Sequence, residues 1–178
     1  MADTSINQQL QQISQDDFKF LVKNGKRSSI LLNFEFDSLI YCKWGFVKEI
    51  LPDLFLKNDF EQLFFLMLKD RGRNLFFIDV QKIKVSDAIA FILWLIDEMK
   101  SINELESQYL KSDPDIKMLQ AGINKLDKFG ILNTLDNLAK GDILKYDAIR
   151  QMPYNVIFDK QYFEVTKSEI EKKLSKIK

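Results

Sequence analysis

The chain has 178 residues, of which 46% are hydrophobic, so it can bury a core of ordinary size without covalent cross-links. Lys plus Arg and Asp plus Glu both number 26, and this zero net charge argues against a general nucleic-acid coat and suits a protein that meets other proteins. One cysteine, Cys42, and no histidine exclude an intrachain disulfide, the usual zinc sites and His-dependent triads.

The N-terminal part combines a polar arm, a short helix and a strand. Residues 1–14 are polar and Gln-rich, without the pattern of a signal peptide, and we expect a flexible arm there. A short helix is expected over Asp16–Lys23. Apolar residues then alternate with others from Ile30 to Phe36, which predicts a strand with Ile30, Leu32, Phe34 and Phe36 on one face.

The next segments predict two helices and a second β-prone stretch. The first helix covers Ser38–Leu51 and ends at Pro52. Asn58 with Glu61 has the spacing of a capping box and opens the second helix. Residues 74–85 are β-prone, and whether they pair with 28–36 is left open.

A long helix of about 25 residues is expected over Asp87–Lys111, after Ser86 as its N-cap. Its first half is apolar nearly all round, so we expect that half to be buried on most sides. Its longest apolar run, 88–96, is well short of the roughly 20 residues of a membrane span, so no membrane is expected as a partner.

The C-terminal part predicts a chain of shorter helices. The segment DPDIKMLQAGINKLDKFG has Asp113 as an N-cap, an apolar stripe and Gly130 as a stop, which predicts one helix. Helices over 131–140 and 142–150 follow, and 154–163 is either helical or extended. The fold class is therefore mainly α, with 15–163 as one helical domain, a small two-stranded β element as an option, and a capping box at Thr166 opening a basic C-terminal helix at 164–178.

The sequence contains no constellation typical of catalysis. Neither GxGxxG nor GxxxxGK[ST] occurs, and the glycines are too scattered for a phosphate cradle. Asp113 and Asp115 lack the usual spacing of a metal site, and Asp113 already has a capping role. We expect no enzyme and no cofactor; a small carboxylate and metal-dependent enzyme remains the alternative.

Two groups of side chains are candidate contacts with protein partners. Arg71 and Arg73 lie in a basic segment, 69–84, and the stretch 97–115 is acidic, so the two regions are candidates for head-to-tail contact between copies. The alternative for both is ordinary solvated surface. Aromatic candidates, which are alternatively core residues, are Trp44, Trp94, Tyr154 and Phe158.

Three stretches carry a resemblance to a known group of proteins. KVSDAIAFILWLIDEMKSINELESQYL, AGINKLDKFGILNTLDNLAKGDILKYDAI and MPYNVIF together resemble small proteins from the tail and neck modules of tailed bacteriophages, the crAss-like phages among them. The shared features are a long helix, a short "GI..L.KFG" helix, then "LA.GD.LKY" and "PYNVIF". They cover less than half of the chain, and 1–84 shows no such pattern.

The resemblance implies a non-catalytic protein that works with other protein subunits. One form is a ring or connector subunit of the virion, which would assemble as a homo-oligomer. The other is a tail-assembly chaperone that binds the tape-measure protein. The implied location is the virion, or the host cytoplasm during assembly, and no specific nucleic acid is implied as a partner.

Overall fold

The computed structural model describes residues 5–69, 80–111 and 116–177. The chain is mainly α, as predicted, with one small antiparallel sheet in the described part. The α-helices in chain order are α1 (Ile6–Gln11), α2 (Gln15–Asn24), α3 (Leu51–Lys57), α4 (Phe60–Lys69), α5 (Val85–Tyr109), α6 (Ile116–Gln120), α7 (Ile131–Ala139), α8 (Tyr146–Gln151) and α9 (Tyr154–Ile177). The strands are β1 (Ile30–Leu31) and β2 (Phe34–Glu35); 3₁₀ turns occupy Leu39–Tyr41, Ile123–Phe129 and Ile143–Lys145, and a π-helical turn occupies Phe46–Ile50.

The chain divides into two compact units, where a single helical domain over 15–163 was expected. The first unit consists of Met1–Leu39 and Ile50–Lys100, and the second of Ile40–Glu49 and Ser101–Lys178. Each unit is thus built from two separate stretches of chain, and α5 contributes to both.

The predicted strand over Ile30–Phe36 is instead a tight hairpin. β1 and β2 pair with each other around Leu32 and Asn33, which both have positive φ, at 49° and 65°. Positive φ at both central residues is the geometry that reverses a two-residue hairpin. The reversal interrupts the alternation, so Leu31 is buried and Ile30 is exposed. Residues 80–84, the described part of the 74–85 candidate, form no strand.

The expected N-terminal arm is ordered from Ser5 onward by a helix that caps another helix. Ile6 and Leu10 of α1 are buried. The Asn7 side-chain oxygen accepts the backbone N–H groups of Phe60 and Glu61, at 3.0 and 3.1 Å. These are two of the first-turn donors that α4 cannot satisfy itself. Residues 1–4 lie outside the described range.

The capping box predicted at Asn58 does not form, and the N-cap of α4 is the next residue, Asp59. Asn58 ends α3 in the left-handed region, with φ of 54°. Asp59 receives the N–H of Gln62 at 3.2 Å and so provides the local cap of α4. Asn tolerates the left-handed conformation better than most residues, which explains why it ends a helix here.

Pro52 lies in the first turn of α3. The sequence predicts instead that Pro52 ends the preceding helix. Proline is accepted there because first-turn N–H groups have no acceptor within the helix. Of the preceding segment, expected as one helix over 38–51, Leu39–Tyr41 is a 3₁₀ turn and 44–50 is helical, with a π-helical turn at Phe46–Ile50.

The long helix is confirmed as α5, which has 25 residues. Its first half forms the core of the first unit around the buried Phe91 ring. That ring lies 5.1 Å from Phe36, 6.0 Å from Phe64 and 5.2 Å from Trp94, between centroids. The prediction that this half is buried on most sides is met by Phe91, Ile92, Leu93 and Leu95.

The single helix predicted over 113–130 is wrong. α6 covers five residues, Gly122 takes a φ of 86°, and a 3₁₀ turn follows. Glycine adopts this left-handed conformation at little cost. Because the helix is interrupted at Gly122, the apolar residues predicted to form one stripe no longer share a helix face. Met118, Leu126 and Phe129 are exposed. The predicted cap Asp113 lies outside the described residues.

The C-terminal helix is longer than predicted. α9 begins at Tyr154, so the capping box at Thr166 opens no helix. Thr166 lies inside the helix, where its hydroxyl donates to the Tyr162 carbonyl at 2.9 Å. The ambiguous segment 154–163 is helical, and the separate helix expected over 164–178 is its continuation.

We predict that Asn7→Ala destabilises the protein by about 1–2 kcal/mol, because it leaves first-turn donors of α4 without their acceptor. Urea unfolding followed by far-UV circular dichroism measures the change. Asn124→Ala is the control, since Asn124 is exposed, and its effect should stay within about 0.5 kcal/mol. Equal effects of the two substitutions would contradict the capping role of Asn7.

Candidate functional site

The predicted contact residues differ in how exposed they are in the structure. Trp44 and Tyr154 are each 1% exposed, so they are core residues of the second unit, out of reach of a partner. Phe158 is half-buried in the second unit, and Trp94 is half-buried in the first. Arg71 and Arg73 lie outside the described residues, and their role stays a prediction.

Trp44 and Tyr154 are held together by backbone pairing. The Trp44 N–H donates to the Met152 carbonyl, and the Tyr154 N–H donates to the Cys42 carbonyl, both at 2.8 Å. Lys43 and Pro153 form an antiparallel bridge between these bonds. This short ladder places the segment before the π-helical turn beside the first residue of α9.

Glu106 lies at the centre of a polar cluster formed by three separate segments. Its carboxylate accepts two hydrogen bonds from the Lys48 ammonium, at 2.7 and 2.9 Å, and one from the Tyr154 hydroxyl at 2.7 Å. Burial, together with the bond to Glu106, raises the pKa of the Tyr154 phenol. The phenol therefore stays protonated and keeps donating its hydrogen bond.

A second ion pair braces the same region. Arg150 contacts Glu49 through two nitrogens, Nε at 2.7 Å and Nη2 at 3.2 Å, and this fork geometry is the strong form of an Arg–carboxylate pair. The hydrogen bond to Glu49 raises the pKa of Arg150. Gly45 lies against Arg150, and a Cβ at Gly45 would come within 2.9 Å of the Arg150 Cβ. Even an alanine there would force Arg150 to shift, so the site favours glycine.

An open groove of about 730 Å³ lies beside Glu106 in the second unit. It is lined by Trp44, Lys48, Glu106, Ser107, Leu110, Lys111, Gly130, Ile131, Thr134 and Gln161. The Glu106 carboxylate in this groove accepts hydrogen bonds from the Lys48 ammonium and the Tyr154 hydroxyl. In the described part of the chain, no three His, Cys, Asp or Glu side chains are grouped to hold a metal ion.

The acidic stretch proposed for head-to-tail contact is largely used inside the chain. Asp97 receives a hydrogen bond from Arg27 at 2.8 Å, and Glu98 accepts the Leu39 N–H at 2.8 Å. Glu106 is bound as described above. These three carboxylates therefore have partners within the chain, and contact between copies through the acidic stretch stays a prediction.

The second unit leaves much apolar surface uncovered. Its buried hydrophobic residues form a small set: Trp44, Val47, Ile102, Leu135, Ala139, Ile149, Tyr154 and Ile157. Most of the exposed large hydrophobic side chains of the described residues lie in this unit, including Ile116 at 71% and Leu144 at 88% exposure. Exposed apolar groups in such number mark interaction surfaces.

α9 is apolar on two opposite faces. Its inner face carries Tyr154, Ile157 and Phe158, and rings stack along it, with Phe158 and Tyr162 flanking Tyr109 of α5. The outer face is a stripe of exposed residues: Val156, Phe163, Ile170, Leu174 and Ile177. We call this set the outer stripe.

Sequence reasoning missed both Glu106 and the outer stripe. Glu106 has no local signal, because Lys48 and Tyr154 are distant in sequence. The outer stripe has a signal, since Val156, Phe163, Ile170 and Ile177 recur every seven residues. The predicted helix start at Thr166 divided this repeat and concealed it.

The chain was compared with protein-family models, with curated proteins and with solved structures, and nothing matches it in any of the three. Among the described residues, none of the helices combines the length and apolarity that crossing a membrane requires.

We predict that Tyr154→Phe lowers the free energy of unfolding by about 1–2 kcal/mol at pH 7, because a hydrogen bond to a carboxylate is lost. The folded-state pKa of Tyr154 lies above its unfolded value of about 10, so this contribution is complete below pH 10 and is lost as the pH rises further. The difference between wild type and variant should therefore shrink above about pH 10.

Urea unfolding at several pH values between about 7 and 11 measures this difference. Tyr41→Phe is the matched control, because Tyr41 is 63% exposed and its loss should change little. A wild-type-to-Tyr154→Phe difference that stays constant across the whole range would refute the assignment.

Proposed function

We propose that this chain is a non-catalytic protein that works by binding other protein subunits, in the tail or neck of a tailed bacteriophage. The proposed form is a ring or connector-type subunit. The observation that carries the proposal is the uncovered apolar surface of the second unit, where a small core coexists with many exposed large side chains. Burial of such surface against neighbouring subunits is the main favourable term in protein association.

The phage assignment is supported by the resemblance of 84–110, 121–149 and 152–158 to small tail and neck proteins. The second of these stretches begins within an irregular segment, 116–129, whose helix is broken and whose exposed apolar side chains are Ile116, Met118, Leu119, Leu126 and Phe129. Short helical turns that leave apolar side chains open suit a surface that becomes covered on assembly.

The second candidate is a tail-assembly chaperone that binds the tape-measure protein. The same exposed segment favours it, because a chaperone must offer apolar contacts in its unassembled form. The two candidates differ in whether the protein remains in the finished particle.

Mass spectrometry of purified phage particles, with infected-cell extract in parallel, tests the proposal. We expect the chain in particles at a stoichiometric level. Its absence from particles, combined with a complex with the tape-measure protein in extract, would replace the structural role with the chaperone. Absence from both particles and tail-protein complexes would overturn the phage assignment.

The non-catalytic part of the proposal has its own test. Calorimetry with Mg²⁺, Mn²⁺ and Zn²⁺ measures metal binding by the purified chain. Light scattering of the same sample measures its oligomeric state. We expect no saturable metal binding. A stoichiometric metal site with turnover of any substrate would overturn this part.

A further inference from the structure

We propose that a basic cavity in the first unit binds a small phosphate monoester with an apolar body. The cavity has a volume of about 800 Å³, and its walls come from three parts of the chain: the end of α2 with the loop after it, the β1–β2 hairpin, and the start of α5 with the turn before it. Cavities of roughly 300–1,000 Å³ are typical sites for small molecules. The inference concerns the first unit and goes beyond the proposed function, which rests on the second.

Lysines from two of these parts give the cavity its positive charge. Lys26 follows α2, Lys82 and Lys84 precede α5, and the carboxylate among the lining residues is that of Asp87. Three ammonium groups and one carboxylate give the lining a formal charge of +2. In the described part of the chain, the Lys26 and Lys84 side chains have neither an ion-pair nor a hydrogen-bond partner. An anionic ligand would therefore give both of them an acceptor that the chain itself does not supply.

The charged residues beside the cavity do not cancel this charge. Arg27 lies next to Lys26 in the chain, and it is paired with Asp97 at 2.8 Å. Neither Arg27 nor Asp97 lines the cavity, and the two charges balance each other. The potential inside the cavity is thus set by its own lysines and by Asp87, and it favours an anion.

A phosphate monoester matches both the charge and the donors of the cavity. Near neutral pH it is close to a dianion, whereas a carboxylate or a phosphodiester carries a single negative charge. Its terminal oxygens accept several hydrogen bonds at once. Besides the ammonium groups, the walls contain the hydroxyl-bearing residues Ser28 and Ser86. The positive end of the α5 dipole lies in the same wall and adds to the attraction for an anion.

The remaining part of the walls is apolar and indicates what the phosphate is attached to. Leu21, Leu32 and Ile83 line the cavity, and so does Ile30, which is 48% exposed. An apolar group bonded to the phosphate would cover these side chains, and burial of apolar surface is favourable. Free phosphate would leave them in contact with water. The matching ligand therefore joins a phosphate to an aliphatic or aromatic body.

The sequence contained only part of this signal. Lys82 and Lys84 belong to the basic segment 69–84, whereas Lys26 is distant from them in the chain. Phosphate sites that are readable from sequence use a glycine-rich loop, and this cavity uses side chains that the fold brings to common walls.

Calorimetry of the full chain in a phosphate-free buffer of low ionic strength tests the inference with three probes: phenyl phosphate, methyl phosphate and phenyl sulfate. We expect one saturable site for phenyl phosphate, with binding at least about fivefold tighter than that of methyl phosphate, which lacks the apolar body. Phenyl sulfate carries one negative charge and should also bind at least about fivefold more weakly. Because the second pKa of a phosphate monoester is about 6, binding of phenyl phosphate should weaken below that pH, and binding of phenyl sulfate should not.

Substitutions of two nearby lysines form a matched pair. Lys26→Gln removes an ammonium group from the cavity, whereas Lys23→Gln removes one from the last turn of α2, outside the lining. Both residues are exposed, so both variants should fold. We expect Lys26→Gln to weaken binding of phenyl phosphate at least about fivefold and Lys23→Gln to change it less than about twofold. Asp87→Asn removes a negative charge from the lining and should strengthen binding about threefold.

Three results would overturn the inference: no saturable binding of phenyl phosphate, binding no tighter than that of phenyl sulfate, or equal effects of Lys26→Gln and Lys23→Gln. Binding of phosphatidic acid vesicles or of single-stranded DNA, without binding of phenyl phosphate, would also overturn it and would assign the basic surface to a lipid or a nucleic acid. The outcome is independent of whether the chain is found in phage particles, so this inference and the proposed function can fail separately.

Discussion

The second unit depends on Glu106, because this one carboxylate joins three segments that are far apart in sequence. It accepts hydrogen bonds from Lys48, which precedes α3, and from Tyr154, the first residue of α9. Lys48 and Glu106 are both largely buried, and removal of either partner would leave the other charge poorly solvated. Substitution of either Lys48 or Glu106 is therefore expected to destabilise the second unit.

This constraint determines which face of α9 is free. The backbone ladder at Trp44 and Tyr154 and the bond to Glu106 fix the start of the helix with Tyr154 and Ile157 facing inward. Because a helix is rigid over its first turns, the residues on the opposite side must then face solvent. Val156 of the outer stripe is exposed for this reason, whereas from Thr166 onward every described side chain of α9 is exposed, on both sides of the helix.

The two units use their apolar residues differently. In the first unit the half of α5 around Phe91 is covered by aromatic and aliphatic side chains, and few of the described large hydrophobic residues are exposed. In the second unit a comparable supply of such residues surrounds a small core and remains exposed. This contrast is the basis of the proposed function, in which other proteins would cover the apolar surface of the second unit.

Some of the candidate site was readable before the structure. The heptad repeat from Val156 to Ile177 is present in the sequence, and so is the excess of lysine around it. The aromatic candidates Trp44 and Tyr154 were identified as important side chains, with core packing as the alternative. The sequence could not show whether Trp44 contacts a partner or packs in the core. Its position depends on backbone hydrogen bonds to residues more than a hundred positions away in the chain.

By itself the sequence determined the features that act over a few residues: the mainly helical class, and the length of α5 with its buried first half. The tertiary structure alone decided the features that depend on distant partners. Asn7 orders the N-terminus by capping α4, Glu106 pairs with Lys48, and the predicted helix start at Thr166 is overridden because α9 is anchored at Tyr154. Periodicity and backbone preference are local in the chain, whereas the satisfaction of buried donors, acceptors and charges is settled by whatever the fold brings beside them.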